Sequence, residues 1–177
     1  MIITIAGLHG TGKSIVGKTI ANILGKKYYS TGQAFRELAE ELNMSLEEFS
    51  NYVENHPEID KKLDNRILEI AKENDVIIDS QLSGYLLNNR ADFKILLLCP
   101  LEIRVRRMSD RDQTTYEEKL KETLLREHSE RERFKALYDI DLQDKENAET
   151  IYDLVIETEN LTVEEVINKI MLELKKL

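Results

Sequence analysis

Short apolar runs alternate with longer amphipathic stretches along this chain of 177 residues. Five of the runs have the length and composition of β-strands: MIITIAG, KKYYS, DVIIDS, FKILLLC and YDLVIET. Because amphipathic stretches separate them, we expect helices between the strands and a mainly parallel sheet covered by helices. The pattern therefore predicts a three-layer α/β fold with a five-stranded sheet at its centre.

The amphipathic stretches also indicate where helices begin and end. KSIVGKTIANILG is the first predicted helix, with Gly25 as its C-cap. Ser45 and Glu48 have the spacing of a capping box, and Pro57 suits the first turn of the next helix. Further helices are predicted in GQAFRELAEELN, PLEIRVRRMSDR, TYEEKLKETLLREHSERERFKALYDI and TVEEVINKIMLELKKL, with a polar connection at 141–150.

Length and composition favour a single domain over residues 1–177, because a chain with 41% hydrophobic residues can bury one sizeable core. Two helical segments are predicted to form lobes on that core, one at about 30–70 and an arginine-rich one at about 103–133. No apolar run approaches the roughly 20 residues of a membrane helix. We therefore expect a cytoplasmic protein without a membrane partner.

The net charge and the cysteine content argue against several other classes of protein and site. The formal net charge of -9 argues against a wide nucleic-acid interface, which needs many Lys and Arg on one face. The single cysteine, Cys99, excludes an intramolecular disulfide and a Cys-rich zinc site. We expect a monomer that acts on small molecules rather than on nucleic acid.

The sequence GLHGTGKS follows the first predicted strand and precedes the first predicted helix, which is the context that a phosphate-binding P-loop requires. Backbone N–H groups of such a loop surround a phosphate, Lys13 reaches the β- and γ-phosphates, and the Ser14 hydroxyl holds a magnesium ion. We give His9 no chemistry of its own. The predicted ATP-binding residues are Gly7, Leu8, His9, Gly10, Thr11, Gly12, Lys13 and Ser14.

Other side chains narrow the class of P-loop protein. The N-K-x-D motif of guanine-specific switches is absent from the sequence. Asp79 ends the predicted third strand, where its carboxylate could hold magnesium through water, and the alternative is an acid that faces solvent.

Arginines are concentrated in the segment 103–133. Arg104, Arg107 and Arg111 are spaced to share one helical face, and Arg126 and Arg133 share another. Mobile arginines that close over a transferring phosphoryl group would supply charge and exclude water. The alternative is an exposed helix with internal ion pairs such as Arg126 with Glu130.

Several longer stretches of the chain resemble a known protein family. STGQAFRELAEELNMSLEEFSNYVENHPEIDKKLDNR, RVRRMSDRD, LLREHSERERFKALYDIDL and IYDLVIET are similar to the archaeal type of cytidylate kinase, and the similarity covers nearly the whole chain. The resemblance implies a nucleoside monophosphate kinase fold with a P-loop core, a helical acceptor-binding lobe and an arginine-bearing lid. The implied reaction converts ATP and CMP, or dCMP, to ADP and the cytidine diphosphate, with Mg²⁺.

The resemblance also implies roles for individual residues. It assigns Arg36 to the acceptor's α-phosphate, after Ser30 and Gly32 at the entrance to the acceptor lobe. It assigns Arg107 and Arg111 to the donor phosphates, and Arg126 and Arg133 to the transferring group. Asp141 is expected close to the acceptor pocket.

One segment departs from the family pattern. The family usually has an acid-Gly-Arg sequence after the third strand, and here DSQLSG has Ser80 and Gln81 in place of the glycine and the arginine. Glutamine cannot form the charged bidentate pair that arginine forms with phosphate. Either Arg36 and a lid arginine hold the acceptor phosphate unaided, or the acceptor is not CMP.

Gln81 itself could contact a base edge or be an ordinary loop amide, and Ser83 is predicted to reach the base. Two alternatives to a cytidylate kinase stay open: a related kinase for UMP, AMP or another acceptor, and a regulatory module that binds ATP without transferring phosphate.

Overall fold

The computed structural model describes residues 1–142 and 150–177. The five predicted strands are β1 (Ile2–Ala6), β2 (Lys27–Ser30), β3 (Val76–Asp79), β4 (Phe93–Leu98) and β5 (Leu154–Glu157). They form one sheet in the order β2-β3-β1-β4-β5, and every neighbouring pair is parallel. The prediction of a five-stranded α/β fold is therefore confirmed.

Helices connect the strands as the amphipathic pattern predicts. The helices whose bounds fall within the described ranges are α1 (Lys13–Leu24), α2 (Thr31–Glu41), α3 (Leu46–Glu54), α4 (Pro57–Ile70), α5 (Ser83–Leu86), α6 (Leu101–Asp112), α7 (Tyr116–Tyr138) and α8 (Val163–Leu174), with a 3₁₀ turn at Ala71–Glu73. The sequence pattern did not predict α5, because a single turn is too short to show helical periodicity.

The predicted helix ends are also present. Gly25 closes α1 in the left-handed conformation, with φ of 64°. Ser45 and Glu48 form the capping box of α3, and Pro57 begins α4. Residues 143–149 of the predicted polar connection lie outside the described residues.

Apolar side chains fill the space between the sheet and the helices on both faces of the sheet, so the fold has three layers: helices, sheet and helices. One cluster joins β1, β3 and β4 to α1 and α8, with Ile5, Ile20 and Ile170 fully buried. The other cluster joins the opposite face to α4, where Ile67 packs against Ile78. Because the sheet is covered on both sides, the central strands β1 and β3 are buried along their whole length, as parallel strands inside a sheet generally are.

The acceptor lobe predicted at about 30–70 corresponds to α2, α3 and α4. It has an apolar cluster of its own, in which the rings of Phe35 and Phe49 lie 4.6 Å apart. The arginine-rich segment corresponds to α6 and α7, and α7 packs against α3. Across the described residues, no helix is both long enough and apolar enough to cross a membrane.

Arg104 of α6 connects three parts of the chain through one buried guanidinium. It donates to the carbonyls of Cys99, 3.0 Å away, and of His9, 2.8 Å away, and it pairs with Glu127 of α7 at 2.5 and 3.2 Å. Only 3% of Arg104 is exposed. Its removal would leave the partly buried Glu127 carboxylate and two carbonyls without their donor, which is costlier than loss of a surface ion pair.

We therefore expect Arg104→Ala to lower the free energy of unfolding by about 3–5 kcal/mol, measured by urea denaturation. Arg106→Ala is the matched control, because Arg106 is an exposed residue of the same helix. A loss of under about 1 kcal/mol in Arg104→Ala, the range of a surface pair, would contradict this role.

Candidate active site

The P-loop lies at the carboxyl end of β1 and leads into α1, as predicted. Gly12 is the N-cap of α1 and has φ of 97°. Gly10 has φ of 79°, and a Cβ atom at that position would lie 2.7 Å from the carbonyl oxygen of Arg104. Glycine is therefore required at both positions, and the unpaired N–H groups of the first turn of α1 face the loop.

Lys13 lies inside this loop. Its ammonium group donates to the carbonyl of Leu8 at 2.9 Å and lines the large cavity beside the loop. Burial lowers the pKa of Lys13, and the charges of Asp79, Glu130 and Glu127 oppose that shift. A cation held in this way is placed to meet the phosphates of a bound nucleotide.

Asp79 lies opposite the start of α1, because β3 pairs with β1 in a register that aligns Asp79 with Ile5. Its Oδ2 atom accepts hydrogen bonds from the hydroxyls of Ser14 and Tyr28, each 2.7 Å away, and of Ser30 at 3.2 Å. Only 2% of Asp79 is exposed, so the alternative of an acid that faces solvent is wrong.

Ser14 and Asp79 also form a suitable donor set for magnesium. The hydroxyl and the carboxylate are both hard oxygen ligands, and they lie within hydrogen-bond distance of each other. Mg²⁺ is usually bound in proteins by one or two such oxygens, while water and substrate phosphates supply the other ligands. The residues present therefore fit the predicted ion.

A cavity of about 740 Å³ extends from the P-loop to the acceptor lobe and the arginine-rich helices. This volume lies in the upper part of the range of small-ligand pockets, about 300–1,000 Å³. Its lining contains the predicted residues Ser30, Gly32, Arg36, Asp79, Gln81, Arg107, Arg111, Arg126 and Arg133. The fold thus collects on one cavity residues that are far apart in the sequence.

Three of these arginines converge from different helices. Partial burial lowers the pKa of Arg36, and so do the charges of Arg111 and Arg126. Arg111 pairs with Asp112 at 2.6 Å and Arg126 lies 3.6 Å from Glu122, whereas Arg36 has no ion-pair partner among the described residues. The Nε atom of Arg126 is buried without a hydrogen bond. Positive charge is therefore concentrated here, and an anionic ligand would relieve the repulsion.

Two other predicted arginines are held by protein groups. Arg107 donates to the hydroxyl and the carbonyl of Thr158 at 3.1 and 2.7 Å. Arg133 donates to Asp60 of α4 at 2.7 Å and to Ser129 at 2.5 Å. The first contact ties α6 to the segment after β5, and the second ties α7 to the acceptor lobe.

The alternative of an exposed, internally paired helix is wrong about the exposure of Arg126 and Arg133, but Arg126 does have an ion pair within α7, with Glu122 at 3.6 Å. Arg111 of α6 fits that alternative, because its side chain is 67% exposed and pairs with Asp112. Arg126 and Arg133 are both buried, with 9% and 7% of the residue exposed. Arg126 does approach Glu130, at 4.0 Å. Arg131 pairs with Asp141 at 2.8 Å, outside α7.

Two predicted acceptor-binding residues are not brought to the cavity. Ser83 is fully buried, and its hydroxyl donates to the carbonyl of Ser80 at 2.8 Å, because the residue begins the short helix α5. Asp141 contacts Arg131 and does not line the cavity in the part of the chain that the structure describes. The expectations for these two side chains are corrected accordingly.

A contact that the sequence did not predict joins the P-loop to α7. The Nε2 atom of His9 lies 2.7 Å from Glu130, and the side-chain amide of Gln81 donates to the same carboxylate at 2.8 Å. Burial would raise the pKa of Glu130, but His9, Arg126 and Gln81 lower it to about 2. The carboxylate is thus ionised, and His9 has a specific partner instead of being a bystander.

Helix spacing alone relates Glu130 to Arg126, and no local signal relates either residue to His9. Only the tertiary fold brings positions 9, 81 and 130 together.

Two carboxylates lie on the acceptor-lobe side of the cavity. Asp60 and Asp64 are one turn apart on α4, and both are buried. The hydroxyl of Tyr138 donates to Asp64 at 2.7 Å. Burial raises the pKa of Asp64 to about 6.

Comparison with known proteins gives consistent matches. A profile of the cytidylate kinase-like family matches residues 2–160. A cytidylate kinase from Methanocaldococcus jannaschii is 43% identical over 171 residues, which cover 95% of this chain and 94% of that protein. A cytidylate kinase from Staphylothermus marinus is 38% identical, with coverage of 95% and 93%.

Solved structures share the fold at low sequence identity. An uncharacterized protein from Eubacterium ventriosum superposes with a TM-score of 0.72 and 16% identity, covering 100% of this chain and 99% of that one. Shikimate kinase from Acinetobacter baumannii, solved in complex with shikimate, gives a TM-score of 0.61 with 16% identity, covering 99% and 93%.

The raised pKa of Asp64 predicts a pH-dependent stability. As pH rises from about 4 to about 6, the unfolded chain loses the proton that folded Asp64 retains, so the free energy of unfolding falls. Asparagine does not titrate, so the Asp64→Asn variant does not undergo this fall in the free energy of unfolding. Above pH 6 it should be more stable than the wild type by roughly 1–3 kcal/mol. Measured by urea denaturation, this difference in the free energy of unfolding between the variant and the wild type should become smaller towards pH 4.

Asn65→Gln is the matched control for this series, because Asn65 is an exposed residue of the same helix and neither asparagine nor glutamine titrates. Its stability difference from the wild type should not change between pH 4 and pH 7. A difference for Asp64→Asn that is equally flat would contradict the account.

Proposed function

The chain belongs to the cytidylate kinase-like family, as its sequence predicted, and from this membership we propose that it transfers the γ-phosphoryl group of ATP to CMP or dCMP. The products are ADP and the cytidine diphosphate. The observation that carries the proposal is the single cavity on which the P-loop, the acceptor lobe and the unpaired charge of Arg36 meet.

Donor binding follows from the P-loop. Backbone N–H groups between Gly7 and Ser14 surround the β-phosphate, and the first turn of α1 adds further donors. Lys13 exchanges the carbonyl of Leu8 for phosphate oxygens. Ser14 would hold magnesium directly and Asp79 would hold it through water, and the ion would neutralise charge on the β- and γ-phosphates.

Acceptor binding is assigned to the opposite side of the cavity. We assign the α-phosphate of the acceptor to Arg36 and Arg126, which is the first of the two possibilities that the departure at Gln81 leaves open. Gln81 acts indirectly, because its amide is engaged by Glu130. Ser30 and Gly32 form the entrance between the P-loop core and this lobe.

Chemically, the reaction needs positioning and charge rather than a protein nucleophile. An oxygen of the acceptor's α-phosphate attacks the γ-phosphorus in line, the bond from that phosphorus to the bridging oxygen breaks, and ADP leaves. Lys13, Arg111 and Arg126 stabilise the charge that spreads over the transferring oxygens. Arg107 and Arg133 position α6 and α7, so that these helices cover the site and exclude water.

The test of the proposed function is an acceptor panel. ADP release is followed with ATP and Mg²⁺ against CMP, dCMP, UMP, AMP and GMP in parallel. The proposal expects the largest kcat/KM for CMP or dCMP. Preference for another acceptor would instead favour a related kinase, and ATP binding without turnover for any acceptor would favour a regulatory module. The monomeric state, the cytoplasmic location and the single domain over 1–177 stay predictions.

Lys13→Ala should lower kcat by at least about a hundredfold, since removal of one group that stabilises the transition state typically costs that much. The fold should be retained, because the lysine contributes one hydrogen bond to a loop carbonyl. Turnover with CMP and thermal unfolding should both be measured. Lys169→Ala, an exposed lysine on α8, is the control; near-normal turnover in Lys13→Ala would refute the P-loop assignment.

Gln81→Arg restores the cation that the family usually has after the third strand. The new guanidinium would lie beside Glu130 and the cavity, so we expect a lower KM for CMP, with kcat changed less. Gln81→Lys separates charge from bidentate geometry, because lysine is a point charge. An unchanged KM in Gln81→Arg would mean that Arg36 and Arg126 already saturate the acceptor phosphate.

A further inference from the structure

On its acceptor-lobe side the cavity combines a buried carboxylate with aromatic and aliphatic walls. Asp64 is 7% exposed and lines the cavity. Phe35, Leu63 and Phe134 line it as well, and each is at least nine-tenths buried. Apolar side chains, two of them aromatic, suit a planar ring, and the carboxylate is the polar group that would fix the orientation of the ring.

The two carboxylates of α4 have different partners. Asp60 is paired with Arg133 at 2.7 Å, so its charge is compensated within the protein. Asp64 receives only the hydroxyl of Tyr138 on Oδ2, and among the described residues no group donates to its Oδ1 atom. Asp64 therefore retains acceptor capacity in a place where desolvation of a carboxylate is unfavourable.

An ionised carboxylate accepts hydrogen bonds and donates none. Cytosine presents an exocyclic amine, N4–H₂, at the position where uracil presents the carbonyl oxygen O4. A carboxylate aimed at that position accepts from the amine and repels the carbonyl. A buried polar group of this kind discriminates strongly, because the wrong ligand leaves it without a partner.

We propose that Asp64 is the residue that selects cytosine over uracil, by accepting a hydrogen bond from the exocyclic amine of the acceptor base. Tyr138 positions the carboxylate through Oδ2, and the Arg133 guanidinium donates to Asp60 and not to Asp64, so an oxygen of Asp64 is left to accept from the base. This inference rests on the proposed function, since it assumes that the acceptor is a pyrimidine nucleotide bound in this cavity.

The test compares kcat/KM for CMP and UMP at saturating ATP and Mg²⁺ and at pH 8, where the Asp64 carboxyl is ionised. Asp64→Asn keeps the size of the side chain and adds an amide that can donate to O4. We expect its preference for CMP over UMP to fall about tenfold to a hundredfold, the range of one hydrogen bond to a charged group. Activity with UMP should rise in absolute terms.

Two further variants make the comparison specific. Asp64→Ala should lose efficiency with CMP without gaining it with UMP, because alanine neither accepts nor donates. Glu58→Gln, at an exposed position of the same helix, should keep the wild-type ratio. Calorimetric dissociation constants of CMP and UMP, measured without ATP, should show the same change in preference independently of turnover.

The outcomes separate this inference from the proposed function. A wild-type enzyme that prefers CMP, together with an Asp64→Asn variant that binds and phosphorylates CMP and UMP in the wild-type ratio, would overturn the role of Asp64 alone. A wild-type enzyme that phosphorylates neither CMP nor dCMP would overturn both.

Discussion

The buried guanidinium of Arg104 is the interaction on which the arrangement of the site depends. It holds the His9 carbonyl of the P-loop, the Cys99 carbonyl that follows β4, and the Glu127 carboxylate of α7. The phosphate-binding loop and the arginine-bearing helix are thus fixed to each other before any ligand binds. Phosphoryl transfer benefits from charges that are already in place, because reorganising the protein during the reaction would raise the energy barrier.

The distribution of charge explains how a chain with a net charge of -9 can bind two polyanions. Positive groups converge on one cavity, where Arg36, Arg111 and Arg126 repel one another. The acids that reach the same cavity are mostly held by hydroxyls or cations, as Asp79 and Asp60 are. Asp64 accepts a hydrogen bond from the Tyr138 hydroxyl but has no cation as a partner among the described residues, and its raised pKa reflects a burial that destabilises the ionised form. A buried carboxylate of this kind lowers the stability of the folded protein at a position where it serves to recognise a ligand.

Local patterns in the sequence predicted the strands, most helix ends and the P-loop, because each depends on residues close together in the chain. The approach of Asp79 to Ser14 also followed, since strand order brings two carboxyl ends together. The contacts of His9 with Glu130 could not be predicted in this way, as they join positions 121 residues apart. The prediction that Ser83 reaches the base was wrong, because Ser83 begins a one-turn helix in which its buried hydroxyl donates to the carbonyl of Ser80.

The central claim is that one cavity holds donor and acceptor nucleotides with their phosphates facing each other. Calorimetry with an analogue that joins adenosine to cytidine through five phosphates tests it most directly. We expect binding of one analogue per chain, displacement of both ATP and CMP, and at least about tenfold tighter binding than ATP alone, since two sites are engaged at once. An analogue that displaces ATP and leaves CMP binding unchanged would contradict the claim.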